Sequence, residues 1–389
     1  MAYEIDNLNY TAGYDVILNY STAGPSNNDG GSSEISGLKK FGEAYGSVHG
    51  YLSVAVCIFG LICNSANIIV LTRKNMISST NTILLWLAVA DLLTMTSYLP
   101  IAVHFYILKP PDLGLFDTRS VPWIHFFLFH INYTVVCHTI AIWLTITLAT
   151  FRFLYIYFPT RGMTLCSLQR AKLSIALVYI ITVCICVPNF LCNAVANVGP
   201  KFYTSVKEIN GTNVTIHENI WTILDSNLAK AQPILIRLNY WIQALFIKII
   251  PCILLTVLTI VLIVAMNEAS KRRMRLKSQG KKNESDRSHE NNRTTKMLLA
   301  VVVLFLITEL PHGILTVCNI FITNFYKMVY APLGDVFDIL ALINNSVNFV
   351  LYCTMSRQFR TTFIEVFSAC CPSKPNCLKN EGFKLVPNG

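Results

Sequence analysis

Charged side chains are what this sequence has least of. Asp, Glu, Lys and Arg make up 13% of its 389 residues, against roughly 25% in a soluble domain, so an ordinary water-soluble globule is excluded. The N-terminus lacks the basic start and apolar core of a cleaved signal peptide. Paired CxxC sets and metal-ligand spacings are missing too, which argues against zinc-stapled and redox folds, and no metal or cofactor is expected. Most of the 13 cysteines fall inside apolar runs, where cysteine behaves as a small apolar residue. Cys192 alone can sit in an outward loop, so no extracellular disulfide is expected.

What the sequence does have is length without charge. Apolar residues make up 53% of the chain, and runs of about 20 or more, enough to cross a bilayer, cover 50–71, 83–107, 124–157, 171–192, 241–266, 297–321 and 330–354. The expected fold is all-α and membrane-embedded: a seven-transmembrane helix bundle with a short amphipathic eighth helix. Seven crossings put the two termini on opposite sides. The net charge of +10 suggests nucleic acid only until its placement is read. Residues 267–296 carry ten Lys or Arg against four acids. Such clusters favour the cytoplasmic side and suit anionic lipid or a cytosolic partner.

Residues 1–46 read as a disordered extracellular tail, 47–357 as the membrane domain, and 358–389 as the amphipathic helix and cytoplasmic tail. Asn9, Asn19, Asn210 and Asn213 are glycosylation acceptors by pattern. The last two fall in a long outer loop, 189–236, whose length favours a recognition or lid role. Cys370 and Cys371 follow the eighth helix as palmitoylation candidates.

Polar residues inside spans are expensive and mark function by default. His130, Thr134, His138, Ala141, Thr145, Ala149 and Arg152 recur at steps of three or four, so they share one face of the third helix. Asn64 and Asp91 lie in the first two spans and Glu309 in the sixth, while Pro251 and Pro311 interrupt the fifth and sixth. The seventh span carries Asp335 and Asp338 near its outer end and Asn344, Asn348 and Tyr352 toward its inner half. Asp338 and Tyr352 are separated by about 21 Å along the axis.

In that order, these residues resemble the rhodopsin-like class of G-protein-coupled receptors over roughly 48–367. Asn64, Asp91, Arg152, Pro251, Pro311 and the Asn348-to-Tyr352 segment match that family's motifs, and Pro251, Ile142 and Phe305 match its packing switch. The departures are Phe151 beside Arg152, Phe349 after Asn348, Glu309 in place of a tryptophan and Phe127 in place of a third-helix cysteine. They are similar to invertebrate receptors of the myosuppressin, FMRFamide-like and sex-peptide receptor group. The resemblance implies a short amidated peptide agonist, often ending Arg-Phe-amide, and coupling to inhibitory heterotrimeric G proteins at the plasma membrane. It also implies a relay through Pro251, Ile142 and Phe305, then Asp91, Asn344 and Asn348, to Arg152 and Tyr352. The family's sodium site is partly kept, with Ala141 where a serine is usual.

A guanidinium ligand wants carboxylates that can grip it with two hydrogen bonds. Asp338 ranks first, with Asp335 and Glu309 available, and His130, Thr134, His138, Gln243 and His312 complete the ligand candidates. If the third and sixth helices meet as the resemblance implies, Glu309 lies deep with His138 its nearest candidate partner, so the two are also readable as a salt bridge below the ligand. A receptor for another peptide or small ligand is the alternative. A transporter using Asp91, Lys248, Glu309 and Arg152 ranks lower because no inverted repeat is visible, and a membrane enzyme lacks a nucleophile with its base. Because Phe151 replaces the acid that usually restrains the arginine, cells expressing the chain are expected to signal above background without ligand. Silence in that assay would count against it.

Overall fold

The computed structural model of the chain describes residues 33–108, 120–158, 161–197, 204–209, 212–217, 221–278, 302–304, 306–318, 321–322 and 325–368. Six of its helices are long and apolar enough to cross a membrane, and a seventh apolar helix is shorter over the described residues. In chain order they are α1 (Ser33–Leu71), α2 (Ser79–Ile101), α3 (Val121–Tyr157), α4 (Leu168–Cys192), α5, α6 (Val302–Cys318) and α7 (Ala331–Met355). α5 runs through Pro233–Ile242, a wide π-helical segment Gln243–Ile249, and Ile250–Ser278. α8 (Arg357–Ser368) follows α7 directly. In hydrocarbon every backbone polar group must be satisfied within its own segment, and helices do this.

Side-chain placement follows the solvent. Ile62, Ile180, Ile253, Ile260 and Ile307 are exposed on the outside, an apolar coat suited to lipid. Ile142, Leu144 and Leu148 of α3 are almost fully buried, because α3 runs through the middle and packs on α2, α4 and α5. α1 approaches its neighbours at glycine. A Cβ at Gly60 would collide with Met95, and one at Gly50 would come within 2.5 Å of Tyr106 Cβ. At the other end, Phe349 packs edge-on against Phe359 and Phe363. Arg360 donates to the carbonyls of Cys353 and Thr354 at 3.0 and 2.9 Å, satisfying acceptors that a helix C-terminus leaves open. The usual proline position is therefore an aromatic that ties α7 to α8.

Four features differ from the sequence reading. α1 starts at Ser33, so residues 33–46, assigned above to the tail, are helical. α4 continues past Pro188 to Cys192, because a membrane helix tolerates proline where neighbours satisfy the freed carbonyl. Asn189 is therefore a buried helical residue, not the start of a loop, and Cys192 is buried and free. In α5 the π-helical segment ends one residue before Ile250 and Pro251, and it absorbs the bend that the missing proline N–H requires.

The fourth difference is strand. Within 189–236, β1 (Asn193–Asn197) pairs antiparallel with β4 (Trp221–Asp225), and β2 (Thr204–Ile209) pairs with β3 (Thr212–His217). Asn213 lies on β3; Asn210, Asn9, Asn19, Cys370 and Cys371 lie outside the described residues. Where a disulfide would tie this loop to α3, packing does so. Ile223 of β4, 2% exposed, is clustered with Ile101, Phe105 and Ile124, and Trp221 and Phe127 pack against them. Burying an isoleucine this fully makes its truncation to alanine cost about 2–5 kcal/mol. Ile223→Ala is expected to raise hydrogen exchange across 193–225 with the helices unaffected; unchanged protection there would show that the cluster does not hold the loop.

Candidate functional site

Two polar clusters lie one above the other in the outer half of the bundle. The deeper one centres on Glu309, which is 2% exposed. Its Oε2 accepts from Lys248 Nζ of α5 at 2.7 Å, and its Oε1 lies 3.3 Å from His138 Nε2 of α3. Lys248 also lies 3.1 Å from His312 Nδ1, so the ring accepts there, and Nε2 lies 2.7 Å from the Tyr330 hydroxyl. His312 stacks on Phe337 of α7 at 4.7 Å. The chain His138–Glu309–Lys248–His312–Tyr330 thus joins α3, α5, α6 and the approach to α7. The pairing of His138 with Glu309 is as expected. Lys248 was not foreseen as its partner, although a lysine amid an apolar run is itself the signal to look for one.

The upper cluster lies in the outer turns of α7. Asp338 is exposed and Asp335 partly so. The Tyr98 hydroxyl donates to Asp338 Oδ2 at 3.3 Å and the Tyr106 hydroxyl to Asp335 Oδ1 at 2.9 Å. Neither acid pairs with a lysine or arginine among the described residues. His49 of α1 stands beside them, its Nε2 3.0 Å from the Tyr98 hydroxyl.

The remaining ligand candidates are drawn into structural bonds. His130 is buried, its Nδ1 2.6 Å from Ser97 Oγ and 3.2 Å from Thr134 Oγ1. Gln243 donates to Asn189 Oδ1 at 2.9 Å, and Asn189 donates to Asn132 at 2.8 Å. A carboxamide knot therefore ties α3, α4 and α5. Glu309 spends its oxygens on Lys248 and His138, whereas Asp335 and Asp338 keep their carboxylates free of a cationic partner among the described residues.

Below the deeper cluster, a small polar cavity is lined by Asp91, His138, Ala141, Thr145, Asn344 and Asn348, among others. Asn348 Nδ2 donates to Asp91 Oδ2 at 2.9 Å. Asn64 Nδ2 donates to the Asn345 carbonyl at 3.1 Å. Ile142, Pro251 and Tyr352 are buried; Phe305 lies outside the described residues, and Pro311 is exposed. At the inner end, no carboxylate pairs with Arg152 among the described residues. The neighbouring Phe151 is buried, and Cys166 Sγ donates to its carbonyl at 3.3 Å. Burial pushes the Cys166 thiol up against the pull of Arg152 and Arg170, so the thiol keeps the proton that it donates.

Removing one member of a buried pair strands the other charge, at a cost of roughly 3–5 kcal/mol, whereas removing both together is often nearly neutral. Lys248→Met is therefore expected to lower the melting temperature of the purified protein markedly, and Lys248→Met with Glu309→Met, which makes the pair apolar, to recover most of it. A double variant no more stable than the single one would show that the pair does not hold the bundle.

The family described as serpentine type 7TM GPCR chemoreceptor Srw matches residues 51–370. The G-protein coupled receptor dmsr-1 of Caenorhabditis elegans is 28% identical over 378 residues, covering 86% of this chain and 70% of the relative. The sex peptide receptor of Drosophila melanogaster is 28% identical over 333 residues, with 82% and 72% covered. The FMRFamide receptor of the same fly is 27% identical over 332 residues, with 82% and 54% covered. With a family match running from the first span to beyond the last, over a helix bundle whose polar core joins its members, this chain belongs to the serpentine seven-transmembrane G-protein-coupled receptors, multi-pass membrane receptors and not enzymes.

Proposed function

We propose that the chain is a plasma-membrane receptor for a short amidated peptide carrying an arginine near its C-terminus, and that it signals through a heterotrimeric, inhibitory G protein. The N-terminus and the 193–225 hairpins face outside; the basic 267–296 stretch faces the cytosol and membrane lipids, and nucleic acid has no part. The observation that carries this reading is the pair Asp335 and Asp338, two neighbouring carboxylates near the mouth bonded to tyrosine hydroxyls. A peptide guanidinium would supply their missing counter-charge in a two-pronged geometry. The relatives' printed names, a sex peptide receptor and an FMRFamide receptor, support a peptide ligand.

An agonist acts only through its differential affinity for two bundle arrangements. The deeper chain through Lys248 and Glu309 spans the helices such a ligand would pull on, and His138 lines the cavity of Asp91 and Asn348, which gives a polar route toward Arg152 and Tyr352. The test is a screen of amidated peptides on cells carrying a promiscuous G-protein reporter. A charge-assisted hydrogen bond contributes about 1.5–3 kcal/mol, so Asp338→Asn is expected to raise the half-maximal agonist concentration by roughly one to two orders of magnitude. An unchanged potency would move the guanidinium seat elsewhere, and no response to any peptide by receptor shown to be at the surface would overturn the peptide reading.

A further inference from the structure

The upper cluster holds one group that the peptide seat does not use, the ring of His49. One ring nitrogen of His49 and one oxygen from each of Asp335 and Asp338 lie within 4.8 Å of one another. His49 comes from α1 and lies far in sequence from Asp335 and Asp338 of α7, so spacing along the chain gives no sign that the ring joins them. His49 is fully buried, and its Nδ1 has no hydrogen-bond partner. The bonds around the ring say which nitrogen carries the proton. Tyr98 donates its hydroxyl hydrogen to Asp338, so toward His49 its oxygen accepts, and the 3.0 Å contact is a bond from Nε2–H. Nδ1 is then a bare lone pair, buried without a donor.

We infer that His49, Asp335 and Asp338 form a binding site for a divalent transition cation of the zinc type, bridging α1 and α7. A ligating imidazole characteristically donates its other N–H to an oxygen that fixes its orientation. Here the Tyr98 oxygen takes that role, and Ser53 Oγ lies 3.2 Å from the same nitrogen. The donor set selects the metal. Zinc takes imidazole nitrogen and carboxylate oxygen at about 2.0–2.2 Å, with four ligands, one of which can be water. Calcium wants six to eight oxygens, more than two aspartates offer. Closing donors now up to 4.8 Å apart onto one ion requires side-chain shifts of about 1 Å at zinc distances. Asp338 is exposed, which leaves an entry path, and the rings of Tyr45 and Tyr106 flank His49 at 5.6 and 4.8 Å. The ion would supply the positive charge that the two acids lack and the partner that Nδ1 lacks.

The site shares both aspartates with the proposed peptide seat, but its binding is measured without any peptide, so the two readings fail separately. Purified full-length receptor in lipid nanodiscs is titrated with zinc chloride against a fluorescent chelator. One equivalent is expected to bind, with His49→Gln and Asp335→Asn each weakening it by at least roughly tenfold, and with equimolar calcium without effect. Thermal melts confirm that each variant is folded, and Asp335→Asn decides the matter should His49→Gln not fold. Wild-type receptor that takes up no zinc, folded variants that bind it as the wild type does, or calcium that displaces it would each overturn the site.

Discussion

An ionised carboxylate deep in an apolar bundle is tolerable only with its charge compensated and its lone pairs filled. Glu309 meets both conditions through Lys248 and His138, and this requirement organises the middle of the receptor. A buried pair of this kind adds little net stability over a well-packed apolar pair. What it adds is orientation. α3, α5 and α6 must present one particular face each, or a charge is stranded. The extension through His312 and Tyr330 brings α7 under the same constraint.

Elsewhere packing of apolar and aromatic side chains makes the links. Outer strand β4 is held to α2 and α3 by Ile223, Phe105 and Ile124, and the α7–α8 junction by Phe349, Phe359 and Phe363. At the inner end, Phe151 joins the apolar core beside Arg152, and a thiol donates to its carbonyl. At all three places the link is buried apolar or aromatic area, which salt and reductant do not weaken.

Much of the architecture was legible in the sequence because bilayer thickness imposes a length on every crossing. Helical spacing puts His138 on the polar face of α3, the family resemblance turns that face toward Glu309, and Asp91 and Asn348 stand out as polar residues inside spans. The reading failed where an answer depended on partners distant in the chain. Lys248 and Glu309 are 61 residues apart, and His49 is far from Asp335; no local pattern joins either pair. It failed too where local cues misled. Lys39, Lys40 and Glu43 are exposed and read as tail, yet they line the outer side of a helix. The outer loop read from 189 begins inside α4, because a membrane helix continues past Pro188 to Cys192. The strands of 193–225 are five or six residues each, too short for alternation to stand out.

The glycines of α1 carry a mechanical consequence. At Gly50 the helix meets Tyr106 and Ile107, just past the end of α2, and at Gly60 it meets Met95 of α2 and Ser346 of α7, at two heights about 15 Å apart along its axis. A larger residue at either height would have to push the helix off what it packs on. α1, α2 and the α7 turns that pack on them thus form the side of the bundle where helix backbones come nearest, whereas in α5 a π-helical segment and Pro251 interrupt the regular α-helical ladder.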